Sequence, residues 1–152
     1  MTPGASFEMA QVIVAAARLE GQWITPDNLN TQASQKGAYV LLVGLDRALP
    51  VGASRRKSGQ LPAGTYLYAG SAYGAGGVAA RIGRHFRKDK KVHWHVDRLT
   101  LEASRLAAFI VENGNECALA EALLESNNVA IAIEGFGSTD CLSCRGHLLA
   151  IV

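Results

Sequence analysis

Residues 64–86 read GTYLYAGSAYGAGGVAARIGRHF, and this stretch decides how the chain is organised. Thr65 to Ala69 alternates β-favouring residues as a strand does. Gly70, Gly74, Gly76 and Gly77 then break the run, and a helix follows from about Gly76 to Lys88. Arg81 and His85 stand four residues apart and therefore share one face of that helix. Glycines let an anion approach the backbone where a helix begins and its dipole is positive. Strand, glycine turn and basic helix together point to phosphate chemistry.

On the N-terminal side, Gly37 to Leu45 (GAYVLLVGL) is a continuous β-rich run suited to a central strand buried on both faces. Asp46 to Ala63 carries Pro50, Pro62 and the basic triplet Arg55-Arg56-Lys57, and predicts a hairpin or loop with a short strand near Pro50 to Ala53. Ser6 to Leu19 predicts a helix, and Gly21 to Lys36, with Pro26, Asp27, Asn28 and Asn30, a linker. The expected organisation is a helical extension and linker over residues 1–36 and one domain over 37–152.

On the C-terminal side, VHWHVDRL (residues 92–99) alternates so that, as a strand, it puts His93, His95 and Asp97 on one side and Trp94 and Val96 on the other. Ser104 to Val111 predicts a strand and Asn115 to Ser126 a helix with Leu119, Ala122 and Leu123 facing the core. A short strand over Ala130 to Ile133, a loop rich in glycine, cysteine and serine over Glu134 to Gly146, and a final strand over His147 to Val152 complete the chain. The expected class is α+β, a small mixed and largely antiparallel sheet flanked by helices.

Composition sets the outer bounds. A chain of 152 residues that is 49% apolar is long enough for one domain with a real core and excludes disorder. No apolar run reaches bilayer-spanning length and no basic leader precedes the first apolar stretch, so a cytoplasmic protein with no membrane partner is expected. Three cysteines, an odd number, argue against a disulfide framework. The net charge of +2 hides an asymmetry: residues 81–98 hold seven Lys and Arg against two Asp, whereas residues 99–152 hold seven carboxylates against two arginines. Clustered cations beside a candidate phosphate site suggest a nucleic-acid partner.

Gly37-Ala38-Tyr39 on one strand, Tyr68-Ala69-Gly70 on the next, and Arg81 with His85 on the following helix resemble the signature of the GIY-YIG nuclease superfamily. GTYLYAGSA, GGVAARIGRHFR, VHWHVD, ECALA and GFGSTDCLSCRGHL resemble, more closely, an uncharacterised branch catalogued as domain of unknown function 123. The resemblance implies a metal-dependent endonuclease that hydrolyses DNA phosphodiester bonds, with Mg²⁺ or Mn²⁺ as cofactor. Relatives joined to endonuclease III-like enzymes imply a DNA repair setting. The alternatives are a non-catalytic nucleic-acid-binding module and a zinc-stabilised interaction domain.

Residue types support these roles. The guanidinium of Arg81 is a permanent cation shaped for a phosphate oxygen, and neutral His85 can take a proton from water or from a tyrosine. Tyr39 and Tyr68 occupy the motif positions, with Tyr66 as a competitor on the same side of its strand. An unperturbed phenol is a poor base at neutral pH, so either tyrosine needs help from Arg81, His85 or a metal. The superfamily's metal-binding glutamate aligns best with Glu121, and Glu116 is its rival at the helix start. Ser71, Arg84, Lys88, His93, His95 and His147 are candidates for substrate binding. Cys141, Cys144 and His147 have CxxCxxH spacing. Together with Cys117 they can form a zinc site; otherwise His147 and Asp140 supply hydrogen bonds, or the segment is a folded loop. One departure from the family stands out: 28 residues, Val40 to Leu67, separate the two motif tyrosines.

Overall fold

A computed structural model describes residues 3–29, 35–52, 58–92, 95–132 and 147–152. Its centre is β2 (Gly37–Leu45), whose nine residues are all buried. That is the expected consequence of a strand without polar alternation: both faces must be covered. β2 pairs antiparallel with β5 (Gly64–Ala72) on one side and β6 (Arg105–Glu112) on the other. β1 (Gln22–Ile24) adds outside β6, and β8 (Leu148–Ile151) and β7 (Val129–Ile131) add outside β5, giving the order β1-β6-β2-β5-β8-β7. Every pairing in this six-stranded sheet is antiparallel, so the mixed sheet expected from sequence is purely antiparallel among the described residues.

The two faces carry separate cores. On one, Tyr39, Leu41 and Val43 of β2 meet Val78 and Ile82 of α2 (Gly77–Phe86) and Val96 and Leu99 of α3 (His95–Glu102). On the other, Ala38, Val40 and Leu42 meet Phe7, Ala10, Ile13 and Val14 of α1 (Pro3–Ala16) and Leu119, Ala120 and Leu123 of α4 (Glu116–Leu124). The segment after β2 forms the hairpin expected there, β3 (Leu49–Gly52) with β4 (Ser58–Leu61); the basic triplet Arg55-Arg56-Lys57 lies outside the described residues.

Two elements differ from the sequence reading. Residues 95–102 form α3 and not a strand. The alternation of VHWHV imitates a strand, yet Val96, Leu99 and Thr100, at the i, i+3, i+4 spacing of a helix, are buried together with Asp97. His93, His95 and Asp97 therefore do not line one strand face: His93 and Trp94 lie outside the described residues, His95 opens the helix, and Asp97 is buried within it. The second difference is β1, which arises inside the expected linker and pairs Trp23 with Phe109 in register, their rings 5.1 Å apart.

Candidate active site

Side chains alternate across a strand, so Tyr66, Tyr68 and Gly70 of β5 face the α2 side, as does Tyr39 of β2, whose register partner is Gly70. A methyl group on residue 70 would fall 2.5 Å from Cζ and 2.9 Å from Cε2 of the Tyr39 ring. Glycine at this place is what lets the ring lie across the sheet toward α2. There the Tyr39 hydroxyl meets Nε2 of His85 at 2.6 Å, and the Tyr68 ring stands edge-on to the imidazole at 6.3 Å between centroids. Burial, reinforced by the Lys90 charge, pulls His85 down to about 3, so at neutral pH the ring is uncharged. The Tyr39 hydroxyl donates to Nε2 in the tautomer that carries the ring proton on Nδ1.

Burial raises Tyr39 well above 10 with Tyr68 adding to the rise, while Arg81, which hydrogen-bonds to its oxygen, opposes it. Tyr68 is pushed up to about 12 by burial and then by the charge of Glu116, again opposed by Arg81. Both phenols are therefore protonated at neutral pH, with the Arg81 guanidinium and the Glu116 charge acting on each and the Asp97 charge on Tyr68 as well. Asn115 caps α4, accepting from the amide of Ala118 at 3.0 Å, and so fixes where the helix, with Glu116 at its head, begins.

Arg81 and Arg84 are the charged residues lining a cavity of about 260 Å³ whose other walls include Ala72, Gly74, Gly77 and Ala80. Gly76 and Gly77 take left-handed backbone angles, φ 81° and 60°, which explains glycine at this entry to α2. The amides of Gly77 and Val78 are bonded to Gly74 and Gln35 carbonyls at 3.0 and 2.8 Å. The first donors of the helix are thus used within the protein, and an anion in the cavity is met by arginine side chains in place of the helix start.

A family model described as domain of unknown function DUF123 matches residues 38–152. The chain belongs to that family. The match bears out the branch resemblance and is silent on activity. No curated protein and no solved structure matches the chain.

Within this DUF123 chain, the structure brings together Tyr39, Tyr68, Arg81 and His85 on one face of the sheet, and leaves other candidates elsewhere. Glu121 stands five residues beyond Glu116, about 140° around the helix, and is exposed. Glu116, at the head of α4, lies 3.7 Å from His147 Nδ1, and its charge is felt at both tyrosines. Ser71 is set by strand alternation on the sheet face opposite Tyr68. Tyr66 donates to the carbonyl of Pro62 at 2.6 Å, far down the strand from Arg81, so the competitor is engaged elsewhere. His147 is buried against α4, with Nδ1 3.7 Å from Glu116 Oε2 and Nε2 3.6 Å from Cys117 Sγ. Cys141, Cys144 and Asp140 lie outside the described residues, where no group of three or more metal-ligating side chains is seen among those described.

Much of the basic stretch turns out to be structural. Arg84 pairs with Oδ2 of buried Asp97 at 2.7 Å. Lys90, its side chain 1% exposed, donates to the carbonyls of Arg84 and His85 at 2.8 and 3.0 Å and to Thr100 Oγ1 at 2.7 Å, and lies 3.9 Å from Asp97 Oδ1. Lys88 donates to the carbonyls of Thr100 and Ala103 at the end of α3. Cations satisfying the last carbonyls of a helix is the expected pairing with its negative end. Sequence reasoning missed this network, because a strand over residues 92–99 puts no carbonyl cluster near Lys88 and Lys90. Arg87, Lys91 and Arg98 remain exposed. Among the described residues no helix is long and apolar enough to cross a membrane.

Proposed function

We propose that this chain is a metal-dependent endonuclease that hydrolyses DNA phosphodiester bonds. The observation carrying the reading is the convergence of Tyr39, Tyr68, Arg81 and His85 from two strands and one helix, with Tyr39 and His85 in direct hydrogen bond at 2.6 Å. These are the residue types that phosphodiester cleavage needs. The Tyr39 oxygen takes the proton of the attacking water as its own proton passes to His85 Nε2. A neutral imidazole is required for that transfer, and burial keeps it neutral. Arg81 steadies negative charge on the tyrosine oxygen and, with Arg84, presents donors to the phosphate.

Glu116 fits Mg²⁺ or Mn²⁺, hard ions that take one or two carboxylates and complete their shell with water and phosphate oxygens. Were an ion held there, it would supply charge stabilisation for the pentavalent phosphate. Exposed Arg87, Lys91 and Arg98 provide the salt-dependent attraction for a polyanion. The repair setting follows only from the resemblance of the chain's blocks to relatives joined to repair enzymes.

Incubation of the protein with plasmid and linear duplex DNA in Mg²⁺ and in Mn²⁺ tests the reading. Cleavage is expected, with Arg81→Ala lowering the rate by about two orders of magnitude and changing DNA affinity only a few-fold. Binding without cleavage in either metal would replace the nuclease by a nucleic-acid-binding module.

A further inference from the structure

Tyr73 follows β5 directly and is an aromatic residue left 51% exposed. It is nonetheless fixed at both ends. Its hydroxyl donates to the carbonyl of Gly114 at 2.6 Å, and the Lys36 ammonium donates to the carbonyls of Tyr73 and Gly74 at 3.2 and 2.6 Å. A ring open to solvent adds little to a core, and tying it down costs side-chain freedom. The same ties prepare a flat apolar surface that a ligand meets without a further ordering cost.

This surface adjoins the arginine cavity. Ala72, Gly74 and Ala75, which flank Tyr73 in the chain, line that cavity together with Arg81 and Arg84, and consecutive Cα atoms are about 3.8 Å apart. A nucleotide with its phosphate against Arg81 thus has its base within reach of Tyr73. Electrostatics alone gives a modest hold, because Arg84 shares its charge with buried Asp97 at 2.7 Å. Exposed Glu112 ends β6 on the far side of β2 from Ala72, and its charge keeps phosphates on the cavity side of the ring. An anion site flanked by a rigid, uncharged π-face suits a nucleotide whose base is unpaired.

We propose that Tyr73 is a stacking platform for an unpaired base, so that the substrate class of this site is DNA that is single-stranded beside the phosphate bound by Arg81. The inference rests on the endonuclease reading for the identity of the polymer and adds which form of DNA the site prefers. A base stacked on an aromatic ring adds affinity whatever its sequence, because every base has a π-face. Inside a blunt duplex both faces of each base are already covered, and exposing one costs unstacking and unpairing. Single strands and overhangs offer the face without that cost.

Fluorescence anisotropy in EDTA, which prevents metal-dependent cutting, tests this with the full chain. The probes are an oligothymidylate of about twelve nucleotides, an abasic strand of the same length and charge, and a blunt duplex. The wild type is expected to bind oligothymidylate about tenfold more tightly than the abasic strand. Tyr73→Ala should lose that difference while holding the abasic strand and the duplex as before, and Tyr73→Trp, which keeps a π-face, should retain it. Equal affinity of the wild type for the two strands overturns the proposal with no variant needed, and so does a folded Tyr73→Ala protein that still prefers oligothymidylate. Either result leaves the endonuclease reading in place, since the DNA is still bound through its phosphates. Binding of none of the three probes removes the nucleic-acid partner and overturns both.

Discussion

The proton between Tyr39 and His85 is held by two burial effects of opposite consequence. Desolvation keeps the phenol protonated and the imidazole uncharged, a pairing of states that gives one donor and one acceptor across 2.6 Å. Because His85 has a value of about 3 in the fold against about 6.5 when unfolded, the unfolded chain binds more protons between those limits. Stability from this group is complete above pH 6.5 and is lost as pH falls toward 3, at about 1.4 kcal/mol per pH unit. Urea midpoints measured from pH 7 down to pH 4 should show this slope, and His85→Gln should flatten it; an equally steep slope in the variant would show that another group titrates. Tyr39→Phe removes the donor and leaves the buried Nε2 unsatisfied, a cost of about 1–3 kcal/mol, and it should also abolish cleavage by removing the oxygen that relays the proton.

At the scale of elements, the site depends on how α2 ends. Lys90 draws the Arg84 and His85 carbonyls and the Thr100 hydroxyl onto one ammonium group, which ties the turn carrying His85 to α3. Removing it leaves Asp97 buried with less compensation, and Lys90→Ala should cost about 3–5 kcal/mol in chemical denaturation. The double change Lys90→Met with Asp97→Leu should recover part of that loss, since the unpaired buried charge disappears with its partner. Desolvation lowers Lys90 to about 8, so the unfolded chain holds the proton more firmly between pH 8 and 10.5 and the contribution of this group to stability rises with pH across that window. None of this was legible in residues 81–98 as a charge count. The basic run reads as a surface for polyanions, because its carbonyl partners are supplied by α3, and α3 was hidden by the strand-like alternation of VHWHV. By contrast β2, α2 and α4 were legible: a nine-residue apolar run, a glycine turn before a basic helix, and the helical spacing of Leu119 and Leu123 each specify their element locally.

For the molecule as a whole, the sheet is a partition between two cores, and the N-terminal segment builds part of one of them. Phe7, Ala10, Ile13 and Val14 are buried against the face of β2 opposite Tyr39, and β1 covers the outer edge of β6. The segment read as linker from Pro26, Asp27 and Asn28 carries β1 just ahead of those residues, and its strand is too short for periodicity to reveal. Tyr39 stands on a strand whose back is covered by α1 and α4, so support from α1 reaches the site through one layer of sheet. Deleting residues 1–20 uncovers Val40, Leu42 and Leu67 on that face, and burial of several large apolar side chains is worth roughly 1.5–3 kcal/mol each. The shortened chain should unfold at markedly lower urea concentration and bind a hydrophobic dye, even though the DUF123 match begins at residue 38. If residues 1–36 were instead an extension that the domain does without, the deletion would leave the midpoint within error of the full chain, and the buried face of α1 would have to be replaced by another copy. Sedimentation of the deleted protein separates these outcomes: a destabilised monomer or aggregate supports a structural α1, and an unshifted midpoint in a monomer refutes it.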